Sequence, residues 1–215
     1  MKVVVIGATG FVGKNLVNEL ANRGHQVLAI VRNTEKVDAK ENVETKSIDI
    51  TNSDELKHAI EGADAVISAF NAGWTNPNLY HDFIEGAESI QKAVIEAGVK
   101  RFIVIGGAGS LYIDGKQLVD GIDFPENIKP GATAARDYLE TLKKENNLDW
   151  TYFSPAIEMH PGIEIGRTGH YRLGLENPVF DENGHSILSV EDVAVVIADE
   201  LEQSKHVKQR FTAAY

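Results

Sequence analysis

The 215-residue chain is 43% apolar and 25% charged, carries a net charge of −11 and contains no cysteine. That balance suits one globular unit with a sizeable core, and the acidic excess opposes general binding to nucleic acid or to an anionic membrane. Without cysteine there is no disulfide, thiolate catalysis or cysteine-held metal, and no apolar run approaches the roughly 20 residues needed to span a bilayer.

The first element is an apolar strand, Val3 to Ile6, which runs into Gly7-Ala8-Thr9-Gly10-Phe11-Val12-Gly13. No leader pattern precedes it, so a cytoplasmic location is expected. A helical pattern follows, then a second apolar strand, Val27 to Val31, ending at Arg32. This is the layout of a dinucleotide-binding βαβ unit. Gly7 supplies the tight turn, Gly10 lets a pyrophosphate approach the main chain, and Gly13 lets the helix pack close to the sheet. The helix N-terminus offers its free N–H groups and positive dipole end to the phosphates. An acidic residue after the second strand would accept the ribose 2′-OH of NAD. Arg32 stands there instead, and a guanidinium suits the 2′-phosphate of NADP. NADP is therefore the expected cofactor, with NAD the alternative.

Further along, strands are predicted at Val43–Ile48, Ala65–Ile67, Phe102–Ile105, Trp150–Phe153 and Arg210–Thr212. Helices are predicted at Ser53–Ile60 with Ser53 as N-cap, at Phe83–Ala97 stopped by Gly98, and at Ala132–Asn146. Ser189-x-x-Asp192 reads as a capping box before a last helix. The alternation implies a parallel sheet with helices on both faces, in one domain over 1–215. Three connections are long: Phe70 to Tyr80, Gly106 to Gly131, and Pro155 to about His185. Each leaves the carboxyl end of a strand, where open α/β sheets bind ligands.

The first glycine segment, Val31-Arg32-Asn33, Gly62 to Ile67, Arg101 to Ser110, Leu148 to Thr151 through Pro155, and Ser189 to Ala194 together carry a family likeness. The chain resembles the atypical short-chain dehydrogenase/reductase superfamily, and within it the small NAD(P)H-binding group of NmrA-like proteins and NADH-flavin reductases. The resemblance implies a Rossmann-like doubly wound parallel sheet with a small C-terminal extension on the substrate side. It also implies that Gly7, Thr9, Gly10, Phe11 and Val12 meet the pyrophosphate, while Arg32 meets the 2′-phosphate. Asp49 and Ile50 would flank the adenine. Ser68, Ala69, Phe70 and Pro155 would line the nicotinamide side, and Ser110 would face the substrate.

The chain departs from the superfamily at its proton donor. Alcohol-forming members carry Tyr-x-x-x-Lys on the helix after strand five. Here Arg136 falls near the Lys position, as a candidate cofactor contact, but Ala132 falls where the Tyr would be. The literal spacing occurs only at Tyr112 to Lys116, across the turn signal Asp114-Gly115, where i and i+4 do not share a helix face. Tyr112 alone is a candidate for contacting substrate. Trp74 and Tyr80, in a polar segment beside the expected cofactor, are candidates for stacking on a flat substrate or for pinning the loop. Arg167, Arg172, His160 and His170 lie in the third long connection, as a candidate anion site or as solvated charges. The seven histidines show no metal-ligand spacing, so no metal is expected.

Reducing a ketone demands a placed acid, whereas reduced flavin is stable as an anion. The expected function is an NAD(P)H-dependent oxidoreductase with a flavin-like or quinone-like acceptor. The alternatives are a nucleotide-sugar epimerase or dehydratase, and a non-catalytic NADP-binding redox sensor. A small-molecule substrate is expected, and the chain reads as a monomer or homodimer.

Overall fold

The computed structural model describes residues 1–37 and 40–215. In chain order the elements are β1 (Lys2–Ile6), α1 (Phe11–Asn22), β2 (Gln26–Val31), β3 (Val43–Ser47), α2 (Ser53–Ile60), β4 (Ala65–Ser68), α3 (Leu79–Glu96) and β5 (Arg101–Ile105). They continue with β6 (Tyr112–Ile113), β7 (Lys116–Gln117), α4 (Lys129–Leu142), β8 (Asp149–Ser154), β9 (Arg172–Gly174), α5 (Val190–Gln203) and β10 (Gln209–Ala214). The eight-stranded sheet runs β3-β2-β1-β4-β5-β8-β10-β9. Its pairings are parallel except that of β9 with β10. This is a Rossmann-like α/β fold.

The central strands β1, β2, β4 and β5 carry apolar runs because both their faces are covered. Val3 and Val5 pack with α1 and α5, while Val4 and Ile6 pack with α2, α3 and α4. No helix among the described residues is long and apolar enough to cross a membrane.

Several boundaries move from their sequence expectations. Asn52, not Ser53, caps α2, its side-chain oxygen accepting from Glu55 N–H at 3.3 Å. Helix α3 starts at Leu79, because Leu79 extends the buried stripe of Phe83, Ala87 and Ile90 by one turn. Helix α4 covers 129–142 rather than 132–146. Pro130 suits its first turn, where no intrahelical N–H is needed, and the chain must turn after Leu142 to reach β8. The antiparallel strand β9 inside the third long connection carries no apolar signal.

That third connection is clipped to the helices beneath it. Arg167 donates to both oxygens of Glu19 on α1, at 2.9 Å each. Asp192 on α5 accepts from Thr168 N–H at 3.0 Å, Thr168 Oγ1 at 2.6 Å, Gly169 N–H at 2.8 Å and Tyr215 OH at 2.7 Å. The bond from Arg167, opposed by burial and helped by Arg23, holds the Glu19 carboxyl below its usual 4.5. Burial pushes Asp192 upward, but the Thr168, Tyr215 and Gly169 donors outweigh it and leave it below 3.8.

Both carboxyls therefore bind protons less readily folded than unfolded. Their stabilisation is complete above the unfolded values and is lost as pH falls through the lower folded ones. Melting temperature is expected to drop as pH is taken below about 4, and Asp192→Asn should flatten that acid limb. The same variant should cost about 1–3 kcal/mol at neutral pH. An acid limb unchanged in the variant would remove Asp192 from this account.

Candidate functional site

The turn from β1 into α1 is built on backbone contacts that exclude side chains. Gly7 has φ +78°, and a Cβ on it would lie 2.6 Å from the Ala69 carbonyl oxygen. A Cβ on Gly13 would lie 2.1 Å from the Gly7 oxygen. Gly10 N–H donates to Gly7 O at 3.0 Å, and Gly10 starts α1 with no side chain capping it. A Cβ on Gly10 would meet only the Gly7 oxygen, at 3.2 Å, so the space outside the turn is open. Thr9 and Val12 are half-buried, and Gly10 and Phe11 are exposed. An uncapped helix N-terminus behind an open glycine turn fits a pyrophosphate.

Arg32 is exposed just beyond β2, and its carbonyl accepts from Ser47 Oγ at 3.1 Å. Asp49, beyond β3, accepts from Thr51 N–H at 3.0 Å and Thr51 Oγ1 at 2.8 Å. Those bonds, backbone first, hold its carboxyl below the ordinary range, with the Arg32 charge assisting. Ile50 is half-buried, and its carbonyl accepts from Ser89 Oγ at 2.5 Å. A Cβ on Gly86 of α3 would come within 2.5 Å of the Phe70 ring and 2.9 Å of Ile50 Cδ1. Gly86 thus makes the room in which both residues sit; its signal was a lone glycine on the buried face of a helix.

At the end of β4, Ser68 is buried, Ala69 N–H donates to Ile6 O at 2.9 Å, and Phe70 stacks on Phe83 with centroids 5.9 Å apart. Ser68 to Phe70 thereby lie against the Gly7 turn. Pro155 is buried just after β8. Ser110 is 1% exposed, its hydroxyl 3.0 Å from Ser154 Oγ and 3.2 Å from the Gly107 carbonyl. The Ser110 hydroxyl is therefore held inside the protein between the Gly107 carbonyl and Ser154, a partner the sequence did not announce.

Tyr112 and Lys116 lie on strands β6 and β7 of a hairpin, where Tyr112 pairs with Gln117 and Ile113 with Lys116. Asp114 and Gly115 form its two-residue turn at φ 50° and 78°. The spacing of Tyr112 and Lys116 thus arises across a turn, not on a helix. The Tyr112 ring lies 5.4 Å from the Arg210 guanidinium carbon.

Trp74 is 58% exposed. Its six-membered ring nevertheless approaches Gly131 in the first turn of α4, where a Cβ would stand 2.9 Å from Cζ3. Tyr80 donates to Asp137 Oδ2 at 2.8 Å, which raises its pKa and keeps the phenol protonated. Arg136 donates to Asp137 and to Gln117 Oε1, the latter at 3.1 Å. Tyr138, the tyrosine of α4, is 1% exposed and donates to Gln91 Oε1 at 3.0 Å. Burial pushes its pKa up, and it points away from the site into the core. Arg167 is taken by Glu19 and Arg172 by the carbonyls of Phe180 and Tyr215, so the third connection's arginines are structural ties here.

The NAD(P)H-binding family pattern matches residues 7–204. YwnB of Bacillus subtilis is 35% identical over 217 residues, covering 99% of this chain and 97% of that protein. A proposed epimerase from Bacteroides thetaiotaomicron superposes with a TM-score of 0.91 at 47% identity, over 100% of this chain and 96% of its own. A proposed NADH-flavin reductase from Streptococcus pneumoniae superposes with a TM-score of 0.88 at 40% identity, over 100% and 99%. With the glycine turn, the strand order and the family pattern in agreement, the chain belongs to the NAD(P)H-binding family of Rossmann-fold proteins and stands among its NAD(P)H-dependent oxidoreductases.

Proposed function

We propose that the protein is an NADPH-dependent reductase that passes hydride to a small planar acceptor of the flavin or quinone type. The observation that carries this is the missing acid on α4. Ala132 stands near the position expected for a tyrosine donor, and Tyr138 is buried against Gln91. Hydride addition to a ketone would leave an alkoxide without a proton source, whereas a reduced flavin leaves as a stable anion and is protonated by water. The nicotinamide supplies the hydride when bound. The chain's own part is to hold the two rings at close range and exclude water.

In this reading Gly7 to Gly13 hold the pyrophosphate, Arg32 the 2′-phosphate, and Asp49 and Ile50 the adenine. Ser68, Ala69, Phe70 and Pro155 back the nicotinamide, and Arg136 borders its ribose. Trp74 offers a seated, exposed ring for the acceptor, with Tyr80, Ser110 and Tyr112 in the surrounding wall. The streptococcal neighbour named as a flavin reductase supports the acceptor class.

The test is the steady-state rate of NADPH oxidation with and without FMN. An FMN-dependent rate is expected, weakened by Trp74→Ala and kept by Tyr112→Phe. Tight NADPH binding with no FMN-dependent rate would overturn the acceptor. The similarity to the Bacteroides protein named as an epimerase favours a second reading, nucleotide-sugar epimerisation. That activity would proceed on a sugar nucleotide with no net NADPH consumption.

For the cofactor, Arg32→Ala is expected to weaken NADPH binding about tenfold to a hundredfold, the range for a charge-assisted hydrogen bond, and to leave NADH binding unchanged. Titration calorimetry with both nucleotides reads this directly. Equal binding of NADH and NADPH by the native protein would remove the 2′-phosphate role.

A further inference from the structure

Three long connections surround the carboxyl ends of the strands, and one continuous run of hydrogen bonds crosses all of them. Tyr80, at the end of the first connection, donates to Asp137 Oδ2 at 2.8 Å. Arg136 donates through Nε to Asp137 Oδ1 and through Nη1 to Gln117 Oε1 at 3.1 Å, with Asp120 at 3.4 Å. Gln117 Nε2, in the second connection, donates to the Ser110 carbonyl at 3.2 Å. Arg210 Nη1 donates to that same carbonyl, and Arg210 Nη2 reaches Glu176 in the third connection.

Arg210 is the unusual member. It sits in β10 beside buried Phe211 and Thr212, its side chain 1% exposed, and its Nε has no hydrogen-bond partner among the described residues. Burying a guanidinium in a strand is costly unless its bonds are made. Those bonds go to two different loops, and the same guanidinium lies against the Tyr112 ring. Arg136 does likewise, reaching Asp137 on its own helix and Gln117 and Asp120 across the gap. A planar fork can serve two directions at once, which a lysine ammonium at the end of a flexible stem does less well.

We propose that Arg136 and Arg210 are positioning residues, and that with Tyr80, Asp137 and Gln117 they form one frame fixing the acceptor-side walls relative to each other. The proposal rests on the reading above only in placing the acceptor between those walls. Precise placement of walls matters for hydride transfer, where small displacements of the acceptor cost rate.

Gln117→Leu breaks the middle of the frame and is half-buried, so it leaves the core intact. Arg210→Lys breaks the far end. The first readout is acrylamide quenching of tryptophan fluorescence. Trp150 is 3% exposed and Trp74 58%, so the quencher reports Trp74. Gln117→Leu is expected to change Trp74 quenching about twofold, with a cooperative thermal melt retained.

The second readout separates acceptor from cofactor. KM for FMN should rise about threefold to tenfold, in the range of one or two lost hydrogen bonds, with NADPH Kd within about twofold of native. Tyr80→Phe and Arg210→Lys should combine non-additively in KM, as members of one network do. Native quenching in Gln117→Leu together with additive effects in the cycle would overturn the frame. If the native protein fails to turn over FMN, the acceptor reading falls, and quenching alone still decides the frame.

Discussion

Gly13→Ala is expected to destabilise the protein by about 3 kcal/mol, the upper end for overpacking, and to weaken NADPH binding by at least about a hundredfold. The added Cβ would stand 2.1 Å from the Gly7 carbonyl oxygen and 2.8 Å from its carbon. Both are backbone atoms, so no rotamer change relieves the clash. Either α1 lifts from the sheet or the Gly7 turn opens, and in both cases the helix N-terminus leaves the phosphate position. Gly24→Ala is the control. It has φ +82° but nothing within 4 Å of its would-be Cβ, so about 1–2 kcal/mol of backbone strain is its whole cost, with NADPH binding retained. Urea unfolding and titration calorimetry on the two variants separate strain from the close approach. Native-like binding by Gly13→Ala would mean that the phosphates do not depend on this packing.

A second large effect is expected far from the nucleotide. Arg101 on β5 donates to Glu200 Oε1 at 2.7 Å, to Thr151 Oγ1 at 2.6 Å and to the Asp149 carbonyl at 2.9 Å. Glu200 on α5 also receives His206 N–H at 3.0 Å and meets His206 Nδ1 at 2.7 Å. The pair is buried, with side chains 10% and 2% exposed. Burial pulls the Arg101 pKa down, against the Glu200 charge that holds it up. Glu200→Leu leaves a guanidinium buried without its counter-charge and should cost about 3–5 kcal/mol. Adding Arg101→Leu to that variant should recover a large part of the loss, because the desolvated charge is then gone as well. If the double variant is as unstable as the single one, packing rather than charge governs this point.

The parts of the fold legible in the sequence are those with a local cause. Val3 to Ile6 and Phe102 to Ile105 are apolar without a break because helices cover both sides. The spacing of Gly7, Gly10 and Gly13 expresses a backbone demand made within seven residues. Ser189 accepts from Asp192 N–H at 3.1 Å, as its spacing implied.

The illegible parts depend on partners distant in the chain. Ser110 turns to Ser154, 44 residues away, and Arg167 to Glu19, 148 residues away. Neither distance leaves a periodic trace. Strand β9 exists because β10 offers an open edge, not because Arg172-Leu173-Gly174 favours a strand. Helix α4 begins at Lys129-Pro130 because proline fits a first turn, though in sequence a Pro-Gly pair reads as a break. Arg210, in the run Lys208-Gln209-Arg210-Phe211-Thr212, carries no sign of its burial, and its two loops could be named only in three dimensions.

The order of helices along the chain sets a timetable for synthesis. The apolar face of α1, with Leu16, Val17 and Leu20, is covered by Val193, Val196 and Ile197 of α5. Helix α1 ends at Asn22, and α5 begins only at Val190. At ~5–20 residues per second, a nascent chain carries that uncovered face for on the order of ten seconds or longer before its cover emerges from the ribosome. Until α5 is made the growing chain therefore presents a sticky helix to the cell, and α5 is the piece that retires it.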